Sequence, residues 1–227
     1  MKKTKKAVET TEVSLVQEIV ITPPNYATMT FRICGTAPYV QLPMNKKQEE
    51  IYGVQGEAAA KKKKQKEEPN RDKEYAESCY VSDQGWHGIP CKAIKDAMIA
   101  ACRVSDYQMV KARMSFDVIG EGRDPRYLYS LARIYGTRER FDSYPRIPGR
   151  MGATVPQLRV RSMWKEWYAN VTVTWDDDQF HVTDIANLLT RAGIQVGIGE
   201  GRPLSKNSSG MGWGTFRVEK IENEVEK

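Results

Sequence analysis

Chemistry in this chain has to come from arginine, from glycine-rich backbone or from one of two histidines. Near the carboxyl end, 197-GIGEGRPLSKNSSGMGWGTFRVEK-220 sets Gly197, Gly199, Gly201, Gly210, Gly212 and Gly214 around Arg202 and Lys206, with Trp213 between the last two glycines. Glycine belongs where a backbone takes a positive φ or lets another backbone come close. Exposed amides beside Arg202 and Lys206 therefore suit an extended phosphate chain, and Trp213 offers a ring on which a base can stack. The second source lies mid-chain. Between residues 121 and 165 ten cations (Arg123, Arg126, Arg133, Arg138, Arg140, Arg146, Arg150, Arg159, Arg161 and Lys165) meet four acids, an excess that equals the net charge of +6 on the whole chain. Arginine dominates, and its planar fork fits phosphate and also stacks on bases. Tyr127, Tyr129, Tyr135, Phe141, Tyr144, Trp164, Trp167 and Tyr168 are interleaved with these cations. Backbone cations with stacking rings are what sequence-tolerant binding of a single strand requires, although part of this aromatic volume must fill a core. A solvated, mixed-charge surface is the alternative use of the same arginines.

The remaining chemistry is thinner. His87, in 82-SDQGWHGIP-90, and His181 each precede a helix-like segment and are the candidates for a general base. Neither has a neighbouring carboxylate motif, nucleophile elbow or metal spacing, so no catalytic residue is assigned. Asp176, Asp177 and Asp178 have the oxygen ligands that hard cations prefer, but the run reads as the polar turn before a helix, and no metal or cofactor is expected. The segment 197-GIGEG-201 follows a helix and precedes a strand, the reverse of a dinucleotide fingerprint, and the P-loop spacing is absent. Cys34, Cys79, Cys91 and Cys102 form no CxxC pair, which argues against a zinc knuckle and for a reduced, cytoplasmic protein. No apolar run reaches the roughly 20 residues of a membrane span, and no signal peptide is legible.

The elements that would carry these residues follow from periodicity. In 26-YATMTFRICGTAPYVQL-42, Met29, Phe31 and Ile33 alternate with Thr28, Thr30 and Arg32, which predicts a strand. Residues 44–78 turn polar, and 57-EAAAKKKKQKEE-68 has helix formers without an apolar stripe, so the segment reads as a charged insertion. Pro90 followed by Ile94, Ala97, Met98 and Ala101 predicts an amphipathic helix over 89–103 that carries Lys92 and Lys95. Strands are expected at 111–120, with Met114, Phe116 and Val118 on one face, and at 127–136; a long loop follows over 137–156. Residues 158–178 read as one long strand or a hairpin. A helix capped by threonine is expected over 183–193, with Ile185, Leu188, Leu189 and Ala192 inward, and a last strand over 212–221 bears Phe216 and Val218.

Two motifs together resemble the RAMP superfamily, which contains the backbone subunits of CRISPR effector complexes. One is IP-x4-K at Ile89, Pro90 and Lys95; the other is G-x-G-x-G…G-x-G-x-F at Gly197, Gly199, Gly201, Gly212, Gly214 and Phe216. In that family an IPGSSLKGALR-like segment opens the first helix, whereas here Cys91 and Lys92 replace the small residues after proline and Asp96 stands where glycine is common. The chain is also similar to proteins encoded by bacteriophages and prophages. The resemblance implies an RRM-like fold, a glycine-rich loop beside the final helix and strand, binding of single-stranded RNA without reading its sequence, and head-to-tail homo-oligomers. It places the protein in the cytoplasm of a bacterial host cell if phage-encoded.

The expectation is an α+β, ferredoxin-like or RRM-like antiparallel sheet with two helices on one face. A mobile arm is expected over 1–20 and a single domain over 21–222, with a charged insertion at 44–78, a basic segment at 121–165 and a tail at 223–227. The binding candidates are Lys92, Lys95, Arg138, Arg140, Arg146, Arg150, Gly199, Gly201, Arg202, Lys206 and Trp213. The expected partner is single-stranded nucleic acid, RNA before DNA, with no membrane association. Two other readings stand beside it: a self-assembling structural phage protein that needs no nucleic acid, and a metal-independent endoribonuclease using His87 or His181.

Overall fold

A computed structural model describes residues 22–41, 43, 70–144, 146–148, 154–156, 158–205 and 210–219. The arm over 1–20, the tail over 223–227 and most of the insertion lie outside the described residues.

The framework is the expected β-α-β-β-α-β unit. Strand β1 (Tyr26–Gly35) buries Phe31 and Ile33 and turns Thr28, Thr30 and Arg32 outward, as its alternation demands; Met29 shares the inward side but is 43% exposed. Helix α2 (Cys91–Ala101) buries Ile94, Ala97, Met98 and Ala101. Strand β5 (Phe116–Ile119) leads on, and β12 (Tyr168–Asp176) buries Ala169, Val171, Val173 and Trp175. Helix α4 (Val182–Arg191) buries Ile185, Leu188 and Leu189, and β13 (Phe216–Glu219) closes the unit with Phe216 wholly buried. These four strands stand in the order β13-β1-β12-β5, all antiparallel, and α2 and α4 cover one face. The inward side chains of these strands and helices remove apolar area from water at roughly 25 cal/mol per Å², the largest favourable contribution to the fold. On the opposite face the threonines pair across strands, Thr30 with Thr172 at 2.9 Å and Thr28 with Thr174 at 3.2 Å between hydroxyls.

Everything else is grafted onto that frame. Beyond the lower half of β12 the large sheet continues through β7 (Ser130–Tyr135), β4 (His87–Pro90) and β3 (Tyr80–Val81), while β6 (Gly122–Arg123) pairs with β7. A smaller sheet has the order β2-β11-β8, from β2 (Tyr39–Gln41), β11 (Arg159–Trp164) and β8 (Arg138–Ser143). Its three strands are the continuations of β1, β12 and β7, in the same lateral order. The chain therefore folds three adjacent strands over together. Trp167 sits at the fold line: its carbonyl accepts from Gly35 N at 2.8 Å and its indole N–H donates to the Ala37 carbonyl at 2.9 Å. Helix α1 (Arg71–Glu77), capped by Asn70, lies against the small sheet, and a hairpin joins β9 (Arg146–Pro148) to β10 (Thr154–Pro156).

Four expectations are corrected. Residues 109–115 form helix α3 (Met109–Ser115), made of helix-forming Lys, Ala, Arg and Met, so Met114 is 71% exposed on a helix and only 116–119 is strand. The loop over 137–156 contains β8, β9 and β10. The strand or hairpin over 158–178 is β11 and β12, which pair with different sheets and not with each other. The cap of α4 is His181 and not the threonine: its amide donates to Asp184 Oδ2 at 3.1 Å while its carbonyl accepts from Asp184 N at 2.9 Å.

Candidate nucleic-acid interface

The glycine loop answers its own composition. A Cβ on Gly201, at φ +72°, would stand 2.5 Å from the Trp213 ring; one on Gly214 would stand 1.8 Å from the Ile198 carbonyl oxygen; and one on Gly199 would stand 2.6 Å from Tyr39 and the Val40 oxygen. What comes close enough to require glycine is therefore the protein itself. The limbs of the loop bond each other, Ile198 N to Gly214 O at 3.0 Å and Trp213 N to Gly201 O at 3.2 Å. The loop is also tied to β2 and its approach, by Glu200 N to Val40 O at 2.9 Å and Gly214 N to Pro38 O at 2.8 Å.

Its side chains meet the middle of the chain. Trp213, half-buried, packs perpendicular to Phe141 on β8, with ring centroids 5.5 Å apart. Arg161 on β11, 5% exposed, grips the Glu200 carboxylate with two nitrogens, one of them at 2.7 Å, and also donates to Ser143 Oγ. Arg159 stands 3.8 Å from the same carboxylate. Arg202 donates back to the Gly199 carbonyl at 2.9 Å. Leu204 and Met211 are exposed on the loop, and Tyr144 follows the end of β8 at 56% exposure.

Arg138 and Arg140 also lie on β8, but alternation puts them on its other face. Arg138 lies 4.1 Å over the Tyr75 ring of α1, donates to the Tyr75 carbonyl and reaches Ser162 Oγ at 2.9 Å. Arg140 pairs with Asp72 of α1 at 3.0 Å and with Asp142 at 3.5 Å. Both fasten the helix, on the far side of the small sheet from Trp213. Arg146 opens β9; Arg150 and Lys206 lie outside the described residues. Lys92 and Lys95 sit on the outer flank of α2, paired with Asp96 at 2.5 Å and Asp117 at 3.3 Å. They line an open groove of about 610 Å³ with Arg113 and Tyr129.

His87 is drawn inward. Its ring meets Trp164 edge-on at 5.9 Å and stands 3.6 Å from Cys79 Sγ, while burial first, and the Arg138 charge second, hold its pKa below the ordinary 6.5. The neighbouring thiol is itself raised by burial and has no exposed surface, so the pair is no accessible nucleophile. Asp176, Asp177 and Asp178 close the turn into α4, Asp177 accepting from the Trp175 indole at 3.3 Å and Asp176 from the Asp178 amide at 3.2 Å.

One arrangement escaped the sequence reading. On the open face of the large sheet Tyr135 and Tyr168 stack with centroids 4.6 Å apart and planes 5° from parallel; Arg32 lies 5.2 Å over Tyr168 and Arg133 5.1 Å over Tyr135. The rings appear in the interleaved aromatic set, but Arg32 was only the polar member of an alternating strand. Its place on the same outward face as Thr28 and Thr30 was the available signal.

Among the described residues no helix is long and apolar enough to cross a membrane. No family model matches the chain, and no curated protein does. Among solved structures it is similar to the crystal structure of Cmr6 from Pyrococcus furiosus, at 9% identity and a TM-score of 0.38, covering 86% of this chain and 99% of that one.

Proposed function

We propose that this protein binds single-stranded nucleic acid without reading its sequence and without cutting it. The observation that carries the reading is the corner where the middle of the chain meets the glycine loop: a half-exposed Trp213 packed on Phe141 of β8, with Arg202 on the same loop and Leu204 and Met211 exposed there. Stacking on an indole is tolerant of base identity, and nearby guanidinium groups supply phosphate attraction. The preference for RNA, head-to-tail assembly along the strand, and an origin in a phage or prophage acting in the bacterial cytoplasm rest on the RAMP-like motifs at Ile89, Pro90 and Lys95 and in the glycine loop.

Fluorescence anisotropy with a labelled single-stranded RNA, its DNA equivalent and a duplex, each at two salt concentrations, tests it. The single strands bind, RNA more tightly, and affinity falls steeply with salt. Trp213→Ala lowers affinity for RNA about tenfold, the share of one stacked base. A labelled RNA incubated with the protein stays full length. Self-association that persists at high salt, with no oligonucleotide bound at low salt, would instead identify a structural assembly protein.

A further inference from the structure

We propose that the open face of the large sheet is a second nucleotide-binding surface, on which unpaired bases extend the stack formed by Arg32, Tyr168, Tyr135 and Arg133. The inference rests on the reading above and adds a site remote in sequence from the glycine loop and from the helix-borne lysines.

Three features argue for a ligand. The stack runs across three adjacent strands, β1, β12 and β7, with Tyr168 and Tyr135 directly opposite in register. Its rings are thus held by the sheet and need little ordering on binding. The two arginines are also unspent. Arg138, Arg140, Arg159 and Arg161 are all engaged by carboxylates or by α1, whereas neither Arg32 nor Arg133 has an ion pair among the described residues. Arg32 donates to the Asn170 side-chain oxygen at 3.4 Å, and its charge also acts on the Glu219 carboxylate without an ion pair. The nearest cross-strand acid, Glu219, stands opposite Arg32 in register but is taken by Arg217 at 2.8 Å. Finally, the stack is open to solvent, with Tyr168 38% exposed and both arginines exposed.

A guanidinium poised over a tyrosine ring without a carboxylate partner can offer a face to a base and its N–H edge to phosphate. Hydroxyls of Thr28, Thr30, Thr172 and Thr174 continue the same face and offer hydrogen bonds to sugar or phosphate. Bases can join such a stack only when unpaired, so the surface selects single strands over duplex. A clasp that only fastened β7 to β12 would need the two rings and neither arginine.

The test uses the full chain with a fluorescein-labelled single-stranded RNA, a duplex of the same sequence, and a 5-bromouridine-substituted RNA for photocross-linking. Arg32→Gln with Arg133→Gln leaves the melting temperature within a degree or two, because no ion pair is lost, and lowers single-strand affinity at least tenfold. It also makes the dependence of affinity on salt shallower, and cross-links in the wild type map to Tyr135 or Tyr168. Unchanged affinity and salt slope in the double variant, while Trp213→Ala still weakens binding, would overturn this site and leave the general reading standing. So would cross-links confined to other peptides, or equal affinity for duplex. A wild-type protein that binds no oligonucleotide at low salt overturns both.

Discussion

At the scale of single residues, burial decides which groups keep their chemistry. His87 and Cys79 read as reactive types, yet the imidazole is pressed against Trp164 beside the Arg138 charge, and the thiol has no exposed surface. Burial pushes the Cys91 thiol up to about 12, which removes it from thiolate chemistry near neutrality. The histidine's position has a measurable sign. Its folded-state pKa is depressed, so in the window just below the ordinary 6.5 the unfolded chain accepts a proton that the folded form refuses. Its contribution is complete above that value and is lost as pH falls toward the folded pKa. Wild-type melting temperature is expected to decline between pH 7 and pH 5, and His87→Gln to show a flatter profile over that interval; parallel profiles would mean that His87 titrates alike in both states. Sequence read His87 as part of a polar loop before α2, whereas it opens strand β4, and it had no means of seeing Trp164, which arrives from a strand 77 positions later in another sheet.

Among elements, those that alternate or repeat along one face were legible. Strands β1 and β13 and helices α2 and α4 each bury one side against a single core, so pattern and inward residues agree, as does the alternation of Val171, Val173 and Trp175 within β12. Strand β8, RERFDS, was not legible, because both its faces are half-covered: one by α1 through Arg138 and Arg140, the other by the glycine loop through Phe141. No period-2 contrast survives such an environment. The change of sheet between β11 and β12 was equally hidden, since alternation reports burial and not which neighbour provides it. The glycine loop was seen but given the wrong visitor, its own Trp213 and Ile198 being the close neighbours. Two substitutions separate packing from conformation there. Gly214→Ala, with 1.8 Å to a carbonyl oxygen, should fail to fold or lose tens of degrees in melting temperature; Gly212→Ala, at φ +73° with nothing within 4 Å, should cost only the left-handed strain of about 1 kcal/mol. Equal losses would refute the packing account.

For the molecule as a whole, the excess of arginine was legible but its disposition was not. Local cation counts cannot show that Arg138 and Arg140 hold α1 while Arg159 and Arg161 hold Glu200. The cations left to meet a polyanion are those whose partners are weak or absent, among them Arg32, Arg133 and Arg202. Salt dependence should register that smaller number: a plot of log affinity for single-stranded RNA against log salt is expected to have a slope of about −2 to −3, corresponding to three or four phosphate contacts at about −0.7 each. A slope beyond about −6 would show that the structural arginines also reach the ligand.

The triple fold line at Trp167 carries a consequence of its own. Three neighbouring connections meet there, two laced together by the Trp167 carbonyl and indole and the third packed against them at Gly136, and all would have to shear before one sheet could swivel relative to the other. A flexible polymer settling on either surface must conform to an unyielding template, and the loss of disorder on association falls on the polymer rather than on its host.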